Sequence, residues 1–164
     1  MKELAKLAHA TQTLSQLIIN KSTDLTSPLK FSGDKFSLKL STPALRDFAL
    51  VLSNAAGEEL RLGYDAAAKS YFVDRRKAGP SGFSPKFAGR HRTPRLATAP
   101  GADLTLFFDA TSVELFADGG LSVASELFFP SKPFTTIRLE SASGMTVQNL
   151  VYNQLSSPQL KTAE

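Results

Sequence analysis

The chain contains neither cysteine nor tryptophan. The first absence excludes disulfides, thiolate metal centres and cysteine nucleophiles, and it fits reducing and oxidising compartments equally well. The second removes the largest aromatic stacking platform a binding site can use. Histidine occurs only as His9 and His91, too few for a zinc site or a nucleophilic triad, and no metal or cofactor is expected. No run approaches the ~18 apolar residues that a membrane span needs. Met1-Lys2-Glu3 leads into a segment interrupted by Lys6 and His9, so the N-terminus does not read as a secretory signal. Any export signal would lie upstream, on a larger parent.

What is present is an ordinary globular composition: 164 residues, 42% hydrophobic and 21% charged, about one domain in size. Residues 2–19 carry Leu4, Leu7, Thr11, Leu14 and Ile18 at three-four spacing, with Leu17 beside them. That stripe predicts a helix, and a linker helix is assigned over residues 1–21. From Phe36 the period changes to two. Phe36–Ser41, Phe48–Leu52, Glu59–Tyr64, Tyr71–Asp74, 104–109, 112–117, 121–129, 134–140 and 145–152 read as strands. Many short strands with turn signals between them predict an all-β domain over 22–164, an antiparallel β-sandwich of jelly-roll, concanavalin-like type. Asp118-Gly119 supplies positive φ for a hairpin, and Phe108, Leu115 and Leu127 are expected to face inward.

The net charge of +4 is unevenly spread. Residues 75–95 hold Arg75, Arg76, Lys77, Lys86, Arg90, Arg92 and Arg95 and no acid. Of 19 basic residues, 12 remain elsewhere against 15 acids, so a mildly acidic body carries one basic loop. The loop lies in a stretch, 76–103, rich in proline and glycine, with Phe83 and Phe87 as candidate apolar anchors. Three readings stand: solvated surface, a contact with another protein surface, or a nucleic-acid contact. Arginine suits buried bidentate pairing. With two interleaved aromatics and no recognition fold, nucleic acid is not expected as a partner. The interface candidates are therefore Arg75, Arg76, Phe83, Phe87, Arg90, Arg92 and Arg95.

The segment from Leu104 to Gly120 also resembles a family signature. Asp109, Ser112-Val-Glu114-Leu-Phe116 and Asp118-Gly119 look like the block in the C-terminal β-sandwich of glycoside hydrolase family 32, the invertases, levanases and inulinases. Tyr64-Asp65, Tyr71-Phe-Val-Asp74-Arg75, Gly79 and Phe83 resemble a second stretch, although Arg76 and Ala78 stand where the family usually shows serine. Glu126-Leu-Phe-Phe-Pro130 resembles the end of the hairpin, with Glu126 where a basic residue is more usual. Glu3-Leu4 resembles the linker into the domain. The motif residues Asp109, Ser112, Glu114, Phe116, Gly119 and Pro130 are expected to be structural.

The resemblance implies a parent that cleaves fructofuranosyl linkages outside the cytoplasm with two carboxylates about 5 Å apart. In the family these come from a propeller domain, in Trp-x-Asn-Asp-Pro, Arg-Asp-Pro and Glu-Cys blocks. Here Arg46-Asp47 is followed by Phe48, and the other two blocks do not occur. Asp109 and Glu114 flank one corner, but Asp109 is better placed to accept turn N–H groups, and Glu114 points away from Val113 and Leu115. The chain alone is thus expected to be non-enzymatic. Its expected role is to hold the propeller in cis, with self-association as a further property. The alternatives are a free-standing module that binds fructan or sucrose-type carbohydrate, and a protein-interaction domain using the 75–95 loop.

Overall fold

The computed structural model describes residues 8–156, with side chains from Ala10 onward. The expected linker positions 1–7 and the His9 side chain lie outside the described residues. Ten strands follow in order: β1 (Ala8–Asp24), β2 (Phe36–Thr42), β3 (Phe48–Ser53), β4 (Glu59–Asp65), β5 (Ser70–Lys77), β6 (Arg90–Pro94), β7 (Ala102–Asp109), β8 (Ser112–Ala117), β9 (Ser122–Leu127) and β10 (Thr136–Leu155). All pairings are antiparallel.

The sandwich is organised by β10. Its first half pairs with β3, from Thr136↔Ser53 to Glu140↔Ala49. Its second half pairs with β2, from Asn149↔Ser41 to Gln154↔Phe36. On the opposite edge β1 runs along both halves, and the register slips between Ile19↔Met145 and Lys21↔Ser141. The residues skipped there, Ala142 to Gly144, form a bulge in which Gly144 takes φ +79°. One layer is β6-β5-β4-β3 and the other β2-β7-β8-β9, joined through β10. The inner faces of both contribute to one core, including Phe36, Leu38, Leu50, Leu62, Leu106, Leu115 and Tyr152. Phe36 stacks on Phe108 at 4.4 Å between ring centroids. Each such side chain contributes about 1.5–3 kcal/mol through burial.

The expected helix is a strand over its described part. Gln16 sits at φ +54°, leaving Ser15 and Gln16 both outward, so Leu14 and Leu17 pack towards the core although three residues apart. This kink makes a period-two strand resemble a helical stripe. Ile18, on the stripe in the helical reading, is 78% exposed, whereas Ile19 is fully buried. A second correction concerns Leu127, which is 52% exposed. Pairing of Leu115 with Ala124 and Val113 with Glu126 fixes the phase of β9. Ser122, Ala124 and Glu126 therefore lie on its more buried side, and Phe128, one residue on, is buried instead. Phe108 and Leu115 are buried, as expected. β6 is a strand within what reads as an irregular segment.

The contrast between neighbours tests the strand assignment. Ile19→Ala should cost about 2–5 kcal/mol in denaturant unfolding, while Ile18→Ala should stay within about 0.5 kcal/mol. The reverse order would restore the helical stripe.

Candidate functional site

The basic loop folds onto acids that lie elsewhere in sequence. Arg75 pairs with Glu126 at 3.1 Å, Arg90 and Arg92 with Asp65 at 3.6 and 2.8 Å, and Arg95 with Asp118 at 2.9 Å. Arg76 pairs with Asp74 at the end of β5, its Nε donating at 2.9 Å. Five of the seven cations of residues 75–95 are therefore paired, with four carboxylates, Arg90 and Arg92 sharing Asp65. The acidic body and the basic loop are each other's counter-ions.

Two of these pairs, Arg75–Glu126 and Arg95–Asp118, close the sandwich along a seam between β5–β6 and the β8–β9 hairpin. Asp118, at φ +53°, opens a single turn over Asp118–Gly120, with Gly119 at φ +70°. The Asp118 carboxylate accepts from Arg95 Nε at 2.9 Å, from Arg95 Nη2 at 3.1 Å and from the Tyr71 hydroxyl at 2.8 Å. Arg95 also donates to the carbonyls of Ala99 and Gly101. Both charged side chains are more than nine-tenths buried. Burial, followed by the hydrogen bond to Asp118 and then its charge, pushes the Tyr71 phenol well above the usual tyrosine range. The hydrogen bond to Asp118 raises Arg95 in turn. Further along, the Ser122 hydroxyl donates to the Pro94 carbonyl at 2.8 Å, Arg75 to the Leu127 carbonyl at 2.7 Å, and His91 Nδ1 lies 2.6 Å from Glu126. Glu126, the departure from the family pattern, is thus the acid that meets Arg75.

Above the seam lies an aromatic strap. Ala78 is buried, and a Cβ on Gly79 would lie 1.9 Å from the Phe129 carbonyl oxygen. Only glycine, here at φ +125°, allows the strap to touch down beside Pro130. Two successive turns, Ser84 N–H to Ser81 O and Phe87 N–H to Ser84 O, then bring Phe83 and Phe87 together. Their centroids are 4.7 Å apart, Phe87 stacks on Phe129 at 5.4 Å, and the Arg75 guanidinium lies 4.0 Å from the Phe87 centroid. Phe83 is 64% exposed and Phe129 is also exposed. Phe72, by contrast, is covered by Arg90 at 3.7 Å and packs with Ala49 and Val51 on the outer face of the sheet.

That outer face holds a second feature. Arg61 bridges Glu59 and Glu140, and Arg138 bridges the same two acids, closing a ring of alternating charge. Both arginines flank Val51 of the strand between them. Burial opposes ionisation of Glu59 and Glu140, but hydrogen bonds and charge from Arg61 and Arg138 hold both carboxyls below the usual range. An open cavity of about 480 Å³ beside it is lined by Glu59, Arg61, Asp74, Arg76 and Lys77. Sequence reasoning missed this ring. Its signal was the charges at period two in Glu59-Leu-Arg61 and Arg138-Leu-Glu140.

The motif residues divide by role. Asp109 accepts from the Ala110 N–H at 2.7 Å and lies 3.6 Å from Lys35. Ser112 pairs with Asp109 across the β7–β8 corner. Glu114 is exposed opposite Phe107, and Phe116 meets Phe107 edge-on at 6.0 Å on the outer face of β7–β8. Gly119 makes the turn, and Pro130 adjoins the strap. Asp109 and Glu114 share the outer face of β7–β8, opposite Ser112 and Phe107 respectively, and Asp109 is turned to the Ala110 N–H and Lys35 in place of Glu114.

Replacing Arg95 by methionine strands a buried carboxylate and should cost about 3–5 kcal/mol, lowering Tm by on the order of 10 °C. A pH test follows from Tyr71. Its folded pKa is raised above the unfolded value near 10, so its contribution is complete below pH ~10 and is lost as pH rises beyond it. Urea unfolding between pH 9 and 12 should show falling stability, and Tyr71→Phe should flatten that fall.

Comparison with known proteins identifies the fold. The family described as glycosyl hydrolases family 32 C terminal matches residues 3–155. An extracellular exo-inulinase of Aspergillus ficuum is 33% identical over 121 residues, covering 70% of this chain and 22% of that protein. A levanase of Bacillus subtilis is 27% identical over 130 residues, covering 76% of this chain and 19% of that protein. The crystal structure of exo-inulinase from Aspergillus awamori superposes with a TM-score of 0.75 at 25% identity, covering 94% of this chain and 31% of that one. The chain spans about a fifth of the length of these curated relatives. Sequence signature and sandwich architecture agree, and the chain belongs to glycoside hydrolase family 32 as a C-terminal domain.

Proposed function

We propose that this chain is the non-catalytic partner of an N-terminal catalytic propeller in a fructan- or sucrose-cleaving hydrolase. On this reading it docks the propeller through the aromatic strap and sets assembly state through a separate surface. The carrying observation is Phe83. An aromatic ring left 64% exposed, yet ordered against Phe87 and Phe129, has the character of an anchor awaiting a pocket. The paired arginines around it supply a charged rim whose self-repulsion is reduced by internal acids. The clustered charge of the loop, paired within the chain, does not support docking; the exposed aromatics do. The family's catalytic blocks are missing from this sequence, consistent with a supporting role.

A carbohydrate-binding role is the second reading, favoured by the polar cavity beside the Glu59–Arg61–Glu140–Arg138 ring. It ranks lower because those groups already satisfy one another and Phe72 is capped by Arg90.

The readings separate in one experiment. The chain is joined to a family propeller, and Phe83→Ser with Phe129→Ser is compared with the parent and with the isolated chain. Docking predicts that the isolated chain keeps its Tm while the joined protein loses several degrees and part of its fructose-releasing activity. An unchanged joined protein removes the strap as a docking face. Saturable binding of inulin or levan oligosaccharides by the isolated chain would move the second reading to first place.

A further inference from the structure

The sandwich has three strand edges to protect, and it treats them differently. An unpaired edge presents a row of free N–H and C=O groups and is a template for pairing with another chain unless charge, proline or covering structure blocks it. β6 is blocked by Arg90, Arg92 and Pro94. β9 is held along the seam by the Arg75 and Ser122 contacts described above. β1 pairs with β10 alone, and among the described residues no strand pairs its other edge. From Ala8 to Asn20 it contains no Asp, Glu, Lys, Arg, Pro or Gly. Thr11, Thr13, Ser15 and Ile18 along it are exposed.

We infer that the β1 edge over Ala10–Ser15 is an interface with the same edge of a second copy of this chain, paired antiparallel about a two-fold axis. Antiparallel pairing of identical edges is self-complementary and closes at two subunits. Such a contact sets the residues at its dyad, here Gln12 and Thr13, beside their own copies, so a charge placed there would meet itself. The run from Ala10 to Asn20, without Asp, Glu, Lys, Arg or His, is the composition that escapes this penalty. Residues 10–15 pair with β10 without a register slip and end at the Gln16 kink, which limits the pairing to one straight segment. Beyond the kink, Ile18 borders a mainly apolar recess of about 350 Å³ with Pro43, Ala44 and Met145, and Arg46 is the one charged residue lining it. It offers apolar surface alongside the paired strands. The Thr-Gln-Thr composition favours cross-strand pairing over a loose hydrophobic contact.

This inference rests on the reading that the module sets assembly state, and not on the docking of a propeller. The test uses the 164-residue chain in sedimentation equilibrium, with Thr13→Lys and Thr13→Glu made separately. Thr13 is exposed, so circular dichroism and Tm should match the parent. The parent should be dimeric, each variant should raise the dimer dissociation constant tenfold or more, and an equimolar mixture of the two should dimerise again. A parent that stays monomeric up to about 1 mM overturns both the interface and the assembly reading. A dimer that either charge leaves intact overturns the β1 interface alone, as does a mixture that fails to reassociate.

Discussion

The closure of the sandwich depends on one buried ion pair. Arg95 and Asp118 are 23 residues apart, on the chain leaving β6 and on the β8–β9 turn, and they meet where the two layers come together. In the low-dielectric interior such a pair is favourable only when both partners and their remaining hydrogen-bonding positions are satisfied. Here Tyr71, the Ala99 carbonyl and the Gly101 carbonyl complete the set. The positive φ of Asp118 follows from the same constraint, since the turn must deliver its carboxylate to the seam. The Arg75–Glu126–His91 cluster extends the closure to the far end of β9 and supports the floor on which the strap rests.

The seam and the strap are two levels of one design. Gly79 brings the strap into backbone contact with Phe129, and Arg75 joins the two by pairing with Glu126 while lying over Phe87. A change at Arg75 would therefore act on closure and on the exposed aromatic cluster together. Its Nε is buried without a hydrogen-bond partner, so the guanidinium is held by geometry that favours the stacked position over full satisfaction. The Phe83 ring lies one step further out and is free of these duties.

Legibility in the sequence followed how local the cause was. The alternation of 36–41 and 104–117 and the turn at Asp118-Gly119 are set by neighbouring residues, and the structure matches them. The strand character of β1 is hidden because a single positive φ at Gln16 shifts its phase in a way that spacing alone cannot distinguish from a helix. Leu127 faces outward because the face of an edge strand is chosen by its partner's register, not by its own hydrophobicity. The charge of residues 75–95 is plain in the sequence, but its meaning lies in Asp65, Asp118 and Glu126, whose proximity only the fold creates. The aromatic anchors were readable as residues, and their mutual stacking with Phe129 was not.

The central position of β10 has a consequence for the order in which the chain is made. The strand that separates β1 from β2 and β3 occupies residues 136–155, and β1 begins its pairing at Ala8↔Leu155. During synthesis the hairpins β3–β4–β5 and β7–β8–β9 can form as they emerge, being local in sequence. The first strand cannot find its mate until nearly everything else has left the ribosome. For most of translation the uncharged run from Ala10 to Asn20 is therefore a nascent strand without a partner. The period of greatest exposure to mispairing falls before the last twenty residues of the sheet arrive.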